Sequence, residues 1–184
     1  MERSTESTGT QTGLQAALFA NIAHGVVSAL LFVLVGGLKQ RWGSVDLAIP
    51  RPALRETSPR LGFLLVLGLA ASLGLPGLAG FWGEFLAVYA AWSPAADRPR
   101  ALFVGCAVVA AVGAALAAAY ALRVARTVWV GDRPEPDAAP TPDTRGVELA
   151  VLAVLATAVV VLGVAPGPLL AVTADVVAQL VGGS

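Results

Sequence analysis

Glu84 is the only charged residue in the long apolar run 61–92, and His24, the only histidine, stands in the middle of another such run, 13–38. What these two residue types share is proton exchange. An imidazole titrates near neutrality without perturbation, and a carboxyl held away from water can take up and release a proton at a positioned neighbour. A charged side chain deep in hydrocarbon costs about 2.5–3.5 kcal/mol, so such a residue needs a partner or a task. Asn21, His24 and Ser28 follow i, i+3, i+7 spacing and fall on one helical face, which makes a polar stripe on an otherwise apolar segment. Both ionisable residues also admit a structural reading. His24 could be a neutral imidazole gluing two helices together, and Glu84 a protonated carboxyl hydrogen-bonded to a neighbour.

The segment around Glu84 is interrupted. Its middle reads Gly74-Leu75-Pro76-Gly77-Leu78-Ala79-Gly80. As one straight helix, 61–92 would measure about 48 Å against a hydrocarbon core of about 30 Å. Pro76 removes a backbone donor and clashes with the preceding turn, and the three glycines Gly74, Gly77 and Gly80 add backbone freedom. The reading is a discontinuous helix broken at Pro76, Gly77 and Gly80, with a simple proline kink as the plainer alternative. Irregular backbone at membrane depth persists only where it is buried in protein or lines a water-filled cavity, and broken helices recur at ion sites of transporters.

The elements that must position these residues are membrane helices. Of 184 residues, 57% are hydrophobic and 13% charged, well below the ~25% charge of soluble domains. The expected fold is an all-α polytopic membrane bundle with four transmembrane helices at about 13–38, 61–92, 101–126 and 147–165. Residues 1–12 form a polar N-terminal segment without the apolar core of a signal peptide. Pro166-Gly167-Pro168 ends the fourth helix, and 169–181, too short to span and carrying Asp175 and Gln179, reads as an interfacial helix. The Ala- and Gly-rich third span, with Gly105 and Gly113, reads as a close-packing helix, and Cys106 as a small core residue.

Charge gives orientation. Lys39, Arg41, Arg51, Arg55 and Arg60 lie between the first and second spans, and Arg123, Arg126, Arg133 and Arg145 between the third and fourth. The excess of positive charge assigns loops 39–60 and 123–146 to the cytoplasm of a cell inner (plasma) membrane and both termini to the outside. Trp42, Trp129, Tyr89 and Trp92 fall near span ends, where amphipathic rings prefer to sit. Arg123 and Arg126 read as cytoplasmic anchors, and the Pro/Asp/Thr-rich 131–146 as a disordered loop. Zero net charge speaks against a nucleic-acid footprint. The residues carry no phosphate loop, catalytic triad or metal-ligand spacing, so no cofactor and no metal are expected, and a soluble enzyme is the weakest option.

Several runs resemble a known family. Gly13-Leu14-Gln15-Ala16-Ala17-Leu18-Phe19, Ala23-His24-Gly25 and Ser28-Ala29-Leu30-Leu31-Phe32 are similar to a late helix of the antiporter-like M subunits of bacterial NADH–quinone oxidoreductase, respiratory complex I. Ala71 to Phe85, with Pro76-Gly77 and Glu84, resembles the broken helix that follows. Ala119-Tyr120-Ala121-Leu122-Arg123 and Pro166-Gly167-Pro168-Leu169-Leu170 resemble the ends of the last two. The related L and N subunits and Mrp-type antiporters usually carry Pro-Pro at the break and a lysine in place of Glu84.

The resemblance implies a proton-translocating, non-catalytic membrane subunit. It would act beside other membrane subunits in the lipid bilayer, with protons as the transported species and redox chemistry elsewhere. The residue matching His24 would lie on the family's hydrophilic axis, and that matching Glu84 would end the path toward the outside. The chain matches only the last four spans of a longer subunit, so a fragment is expected. Alternatives are an Mrp-type cation/proton antiporter, a hydrogenase-linked membrane subunit, or a non-transporting membrane assembly protein.

Overall fold

The computed structural model describes residues 3–92, 99–131 and 141–182, and these are helical with short connections. The elements are α1 (Arg3–Trp42), α2 (Leu54–Thr57), α3 (Pro59–Ser72), α4 (Gly80–Trp92), α5 (Arg100–Ala125) with a π-helical turn Arg126–Val130, α6 (Gly146–Val164) and α7 (Gly167–Gly182). Among the described residues, three helical stretches are long and apolar enough to cross a membrane: Gln11–Trp42, Arg100–Val130 and Gly146–Val164. The second expected span is not one helix. It is α3 and α4, joined by a break at residues 73–79.

Helix α1 is the hub. Its stripe Phe19, Ala23, Val27, Leu30, Leu34 and Leu38 repeats every three or four residues, and all six are buried. The stripe packs with Leu61, Leu65 and Ala71 of α3 and with Leu152 and Val159 of α6. Helices α4 and α7 also lean on α1, and the Gln15 side-chain amide donates to the Leu170 carbonyl at 3.3 Å.

Helix α5 is peripheral. Only 6% of its most apolar window is buried within the chain. Cys106 is exposed rather than in a core, and a Cβ on Gly105 or Gly113 would meet nothing within 4 Å. The expected close-packing role of this helix therefore fails among the described residues, where the main contacts of α5 are with α4, α3 and its own π turn.

One end of the bundle is closed by polar contacts. Arg41 makes a bidentate pair with Glu148, Nη1–H to Oε1 at 2.8 Å and Nη2–H to Oε2 at 2.6 Å, while its Nε–H donates to the Pro142 carbonyl at 2.7 Å. Trp42 donates its indole N–H to Thr141 Oγ1 at 3.1 Å, and Ser58 Oγ donates to the Thr141 carbonyl at 2.7 Å. The Asp143 carboxylate accepts the backbone N–H groups of Arg60 and Leu61 at 3.3 and 3.1 Å, which caps α3 from a remote part of the chain. The expectation of disorder over 131–146 therefore fails for 141–146, because Asp143 accepts the helix-end N–H groups of α3 and the carbonyls of Thr141 and Pro142 accept side-chain donors from Ser58 and Arg41. Residues 132–140 of the same expectation lie outside the described residues.

Candidate functional site

The break is built by two consecutive turns. Helix α3 ends in a left-handed cap: Gly74 has φ +63°, its N–H donates to the Ala71 carbonyl at 3.2 Å, and the Leu75 N–H donates to the Ala70 carbonyl at 3.3 Å. This 6→1 and 5→2 pairing is the Schellman arrangement, in which a glycine beyond the last helical residue takes a conformation costly for a side chain. The Leu78 N–H then donates to the Leu75 carbonyl at 3.1 Å across Pro76 and Gly77, with Gly77 at φ +88°. Proline second and a positive-φ glycine third is the pattern of a type II turn. The sequence reading centred the break on Pro76, Gly77 and Gly80. In the structure Gly74 has already ended the helix, and Pro76 shapes the turn that follows.

Close approach holds the two halves together. A Cβ on Gly80 would overlap the Ala71 carbonyl, and one on Gly163 of α6 would overlap the backbone of Gly77 and Leu78. A Cβ on Gly83 would come within 2.8 Å of Ala20 on α1. The Trp82 indole N–H donates to the Gly163 carbonyl at 2.7 Å. That carbonyl is in the last turn of α6, where no intrahelical donor remains. The irregular backbone is thus seated on α6, and α4 is pressed on α1 with Glu84 next to the contact.

Glu84 lies between two cavities. The first, about 180 Å³, is lined by Asn21, His24, Ser72, Gly80 and Glu84 together with small and apolar side chains. It joins α1 to the break. The second, about 320 Å³, runs between the break, α4 and α5, and includes Ser72, Leu73, Glu84, Val88 and Gly113 in its walls. Ser72 and Glu84 belong to both. The geometry thus brings together Glu84, His24, Asn21 and Gly80 from the sequence-derived set. Ser28 is not in the lining of the first cavity. Glu84, His24 and Asn21 are exposed on this chain and open into the groove.

Sequence reasoning missed Ser72, Trp82 and Gly163, and it counted Gly74 among the glycines of the break without giving it the helix cap. Gly-x-Pro after an apolar helix is the local signal for a glycine cap, and it could have located Gly74. No local pattern points from Trp82 to Gly163, since the contact crosses the chain.

Comparison with known proteins gives the family and the fold. The family model described as "NADH:quinone oxidoreductase/Mrp antiporter, TM" matches residues 4–116. NADH-quinone oxidoreductase subunit 13 of Thermus thermophilus is 34% identical over 162 residues, covering 86% of this chain and 31% of that protein. Subunit N of Halorhodospira halophila is 35% identical over 167 residues, covering 89% of this chain and 33% of its own length. Subunit M of Rickettsia typhi is 29% identical over 161 residues, covering 88% and 31%.

Among solved structures, respiratory complex I from Thermus thermophilus with bound NADH superposes with TM-score 0.73 at 31% identity, covering 95% of this chain and 35% of the matched one. The Mrp complex of Dietzia sp. superposes with TM-score 0.75 at 21% identity, covering 95% and 39%, which shows a shared fold. The chain spans about a third of the length of these relatives. It belongs to the NADH:quinone oxidoreductase/Mrp antiporter transmembrane family and takes the fold of the membrane subunits of complex I and Mrp.

Proposed function

We propose that this chain works within a membrane subunit of an NADH:quinone oxidoreductase and takes part in proton translocation coupled to electron transfer from NADH to quinone. It carries no redox step itself. Glu84 is the proton-carrying carboxyl, and His24, with Asn21 beside it, supplies or receives the proton across the first cavity. The observation that carries this reading is the shared cavity: the only histidine and the only acid of the broken segment open into one space beside irregular backbone. Polar side chains that converge at membrane depth mark ion paths more often than packing accidents. Family membership supplies the class of transport.

Orientation is part of the proposal. The two basic loops meet at one end of the bundle, through Ser58, Thr141, Trp42 and Pro142. An excess of Lys and Arg assigns that end to the cytoplasm and both termini to the other side, in an inner membrane shared with further membrane subunits.

The test is Glu84→Gln in the assembled complex reconstituted into sealed vesicles. Glutamine keeps the shape and loses the exchangeable charge. Redox-driven proton uptake is expected to fall by at least about a hundredfold, while the complex stays whole on native gels. His24→Ala is expected to slow the same uptake without dissociation. Full pumping by Glu84→Gln would remove the reading. Uptake of sodium in place of protons would move it to a cation/proton antiporter.

A further inference from the structure

We propose that Gly74 is the positioning residue for Glu84: lacking a side chain, it lets the carboxylate lie against the backbone of the break, on the partition between the two cavities. This rests on the reading of Glu84 as a proton carrier. A Cβ built on Gly74 would overlap the Glu84 carboxylate, with the Glu84 Cδ at 2.8 Å and Oε1 at 3.3 Å. The acid therefore occupies the space that any other residue at 74 would fill. Gly74 is held there twice over, by the left-handed cap of α3 at φ +63° and by its approach to Gly80, whose own Cβ would stand 3.3 Å from the Gly74 Cα.

The place matters because Glu84 and Ser72 line both cavities. A carboxylate resting over Gly74 reaches the His24 side and the α5 side by small changes of its own torsions. A methyl at 74 would push it to one side of the partition, so that proton exchange with the other side is interrupted. Gly77 is the internal comparison. It also has a positive φ, +88°, yet a Cβ there would meet nothing within 4 Å. The two glycines place the same kind of demand on the backbone, and only one touches the acid.

The experiment compares Gly74→Ala with Gly77→Ala in the assembled complex in sealed vesicles, with pumping normalised to assembled complex on native gels. Both carry the strain of a side chain at positive φ. Gly74→Ala is expected to pump a further tenfold to hundredfold more slowly, roughly the cost of displacing a reacting group by about 1 Å. Adding Glu84→Asp, whose shorter side chain clears the new methyl, is expected to recover part of the loss, although Glu84→Asp alone slows the parent. If Gly74→Ala does not assemble, Glu84→Ala in the same chain is expected to restore assembly by removing the collision. Equal pumping by the two alanine variants overturns the proposal. So does multiplication of the Gly74→Ala and Glu84→Asp losses, or assembly that Glu84→Ala does not rescue. Loss of pumping in Glu84→Gln together with equal alanine variants would leave the proton-carrier reading standing and remove this one alone.

Discussion

Trp82 shows how a single side chain can secure a break in a membrane helix. Its indole N–H reaches the Gly163 carbonyl at 2.7 Å, and the ring stacks edge-on to Phe81 at 5.1 Å and Phe85 at 6.3 Å. Trp82→Phe keeps most of the apolar contact and removes the donor. A carbonyl left unsatisfied away from water costs about 1–3 kcal/mol, and the loss is expected as a lower unfolding temperature of the complex in detergent. An unchanged transition would show that Gly163 finds another partner. At this scale the sequence is legible where chemistry is rare. Glu84 and His24 stand out because nothing else around them ionises. Gly74 and Gly163 do not, because one glycine among twenty carries no mark of what it must approach.

At the scale of elements, the broken segment was readable and its cause was not. Length and the Gly-Leu-Pro-Gly run predict an interruption, yet the helix ends by a glycine cap two residues before Pro76. The proline drew attention because its effect is local and covalent, whereas the cap depends on two hydrogen bonds that a sequence only permits. The strap Thr141–Arg145 was illegible for a related reason. Its contacts join residues 82 to 101 positions apart, and its composition is that of a loose loop.

Arg41 is the element-scale counterpart of Trp82, since it ties α1, the strap and the first turn of α6 together. Glu148 is well placed there, as an acid near a helix N-terminus. Arg41→Lys keeps the charge and cannot reproduce a two-pronged bond to a carboxylate together with a third bond to a carbonyl. A loss of about 1–2 kcal/mol is expected, seen as a lower unfolding temperature of the complex in detergent. Because the pair is largely sheltered, with side-chain exposures of 12% and 30%, the loss should persist in high salt.

For the whole molecule, hydrophobic patterning sufficed for the class of fold and for four apolar stretches, one of them in two pieces. What it did not supply was the arrangement of α5. A span with 6% of its window buried looks in sequence like one that packs closely. Small residues permit close approach but do not compel it, and the partner decides.

Orientation can be checked at this scale. In a Cys106→Ala background, Ser44→Cys in the basic loop is expected to react with a membrane-impermeant thiol reagent only in inside-out vesicles. Trp92→Cys, at the far end of α4, should react only in right-side-out ones. The reverse pattern would invert the assignment of loops 39–60 and 123–146.

The glycines of the break have a consequence for how this stretch can drift over evolutionary time. They fall at 74, 77, 80 and 83, every third residue, while the helices around them repeat every 3.6. Two requirements alternate with that rhythm. Positions 74 and 77 need a left-handed backbone, whereas 80 and 83 need room for a neighbouring chain. Asparagine tolerates the first requirement and fails the second. Neutral variants should therefore accumulate at Gly77, which has both space and an alternative residue, and be purged at Gly80 and Gly83. Gly74 should be the most constrained of the four, since it answers to the backbone and to Glu84 at once.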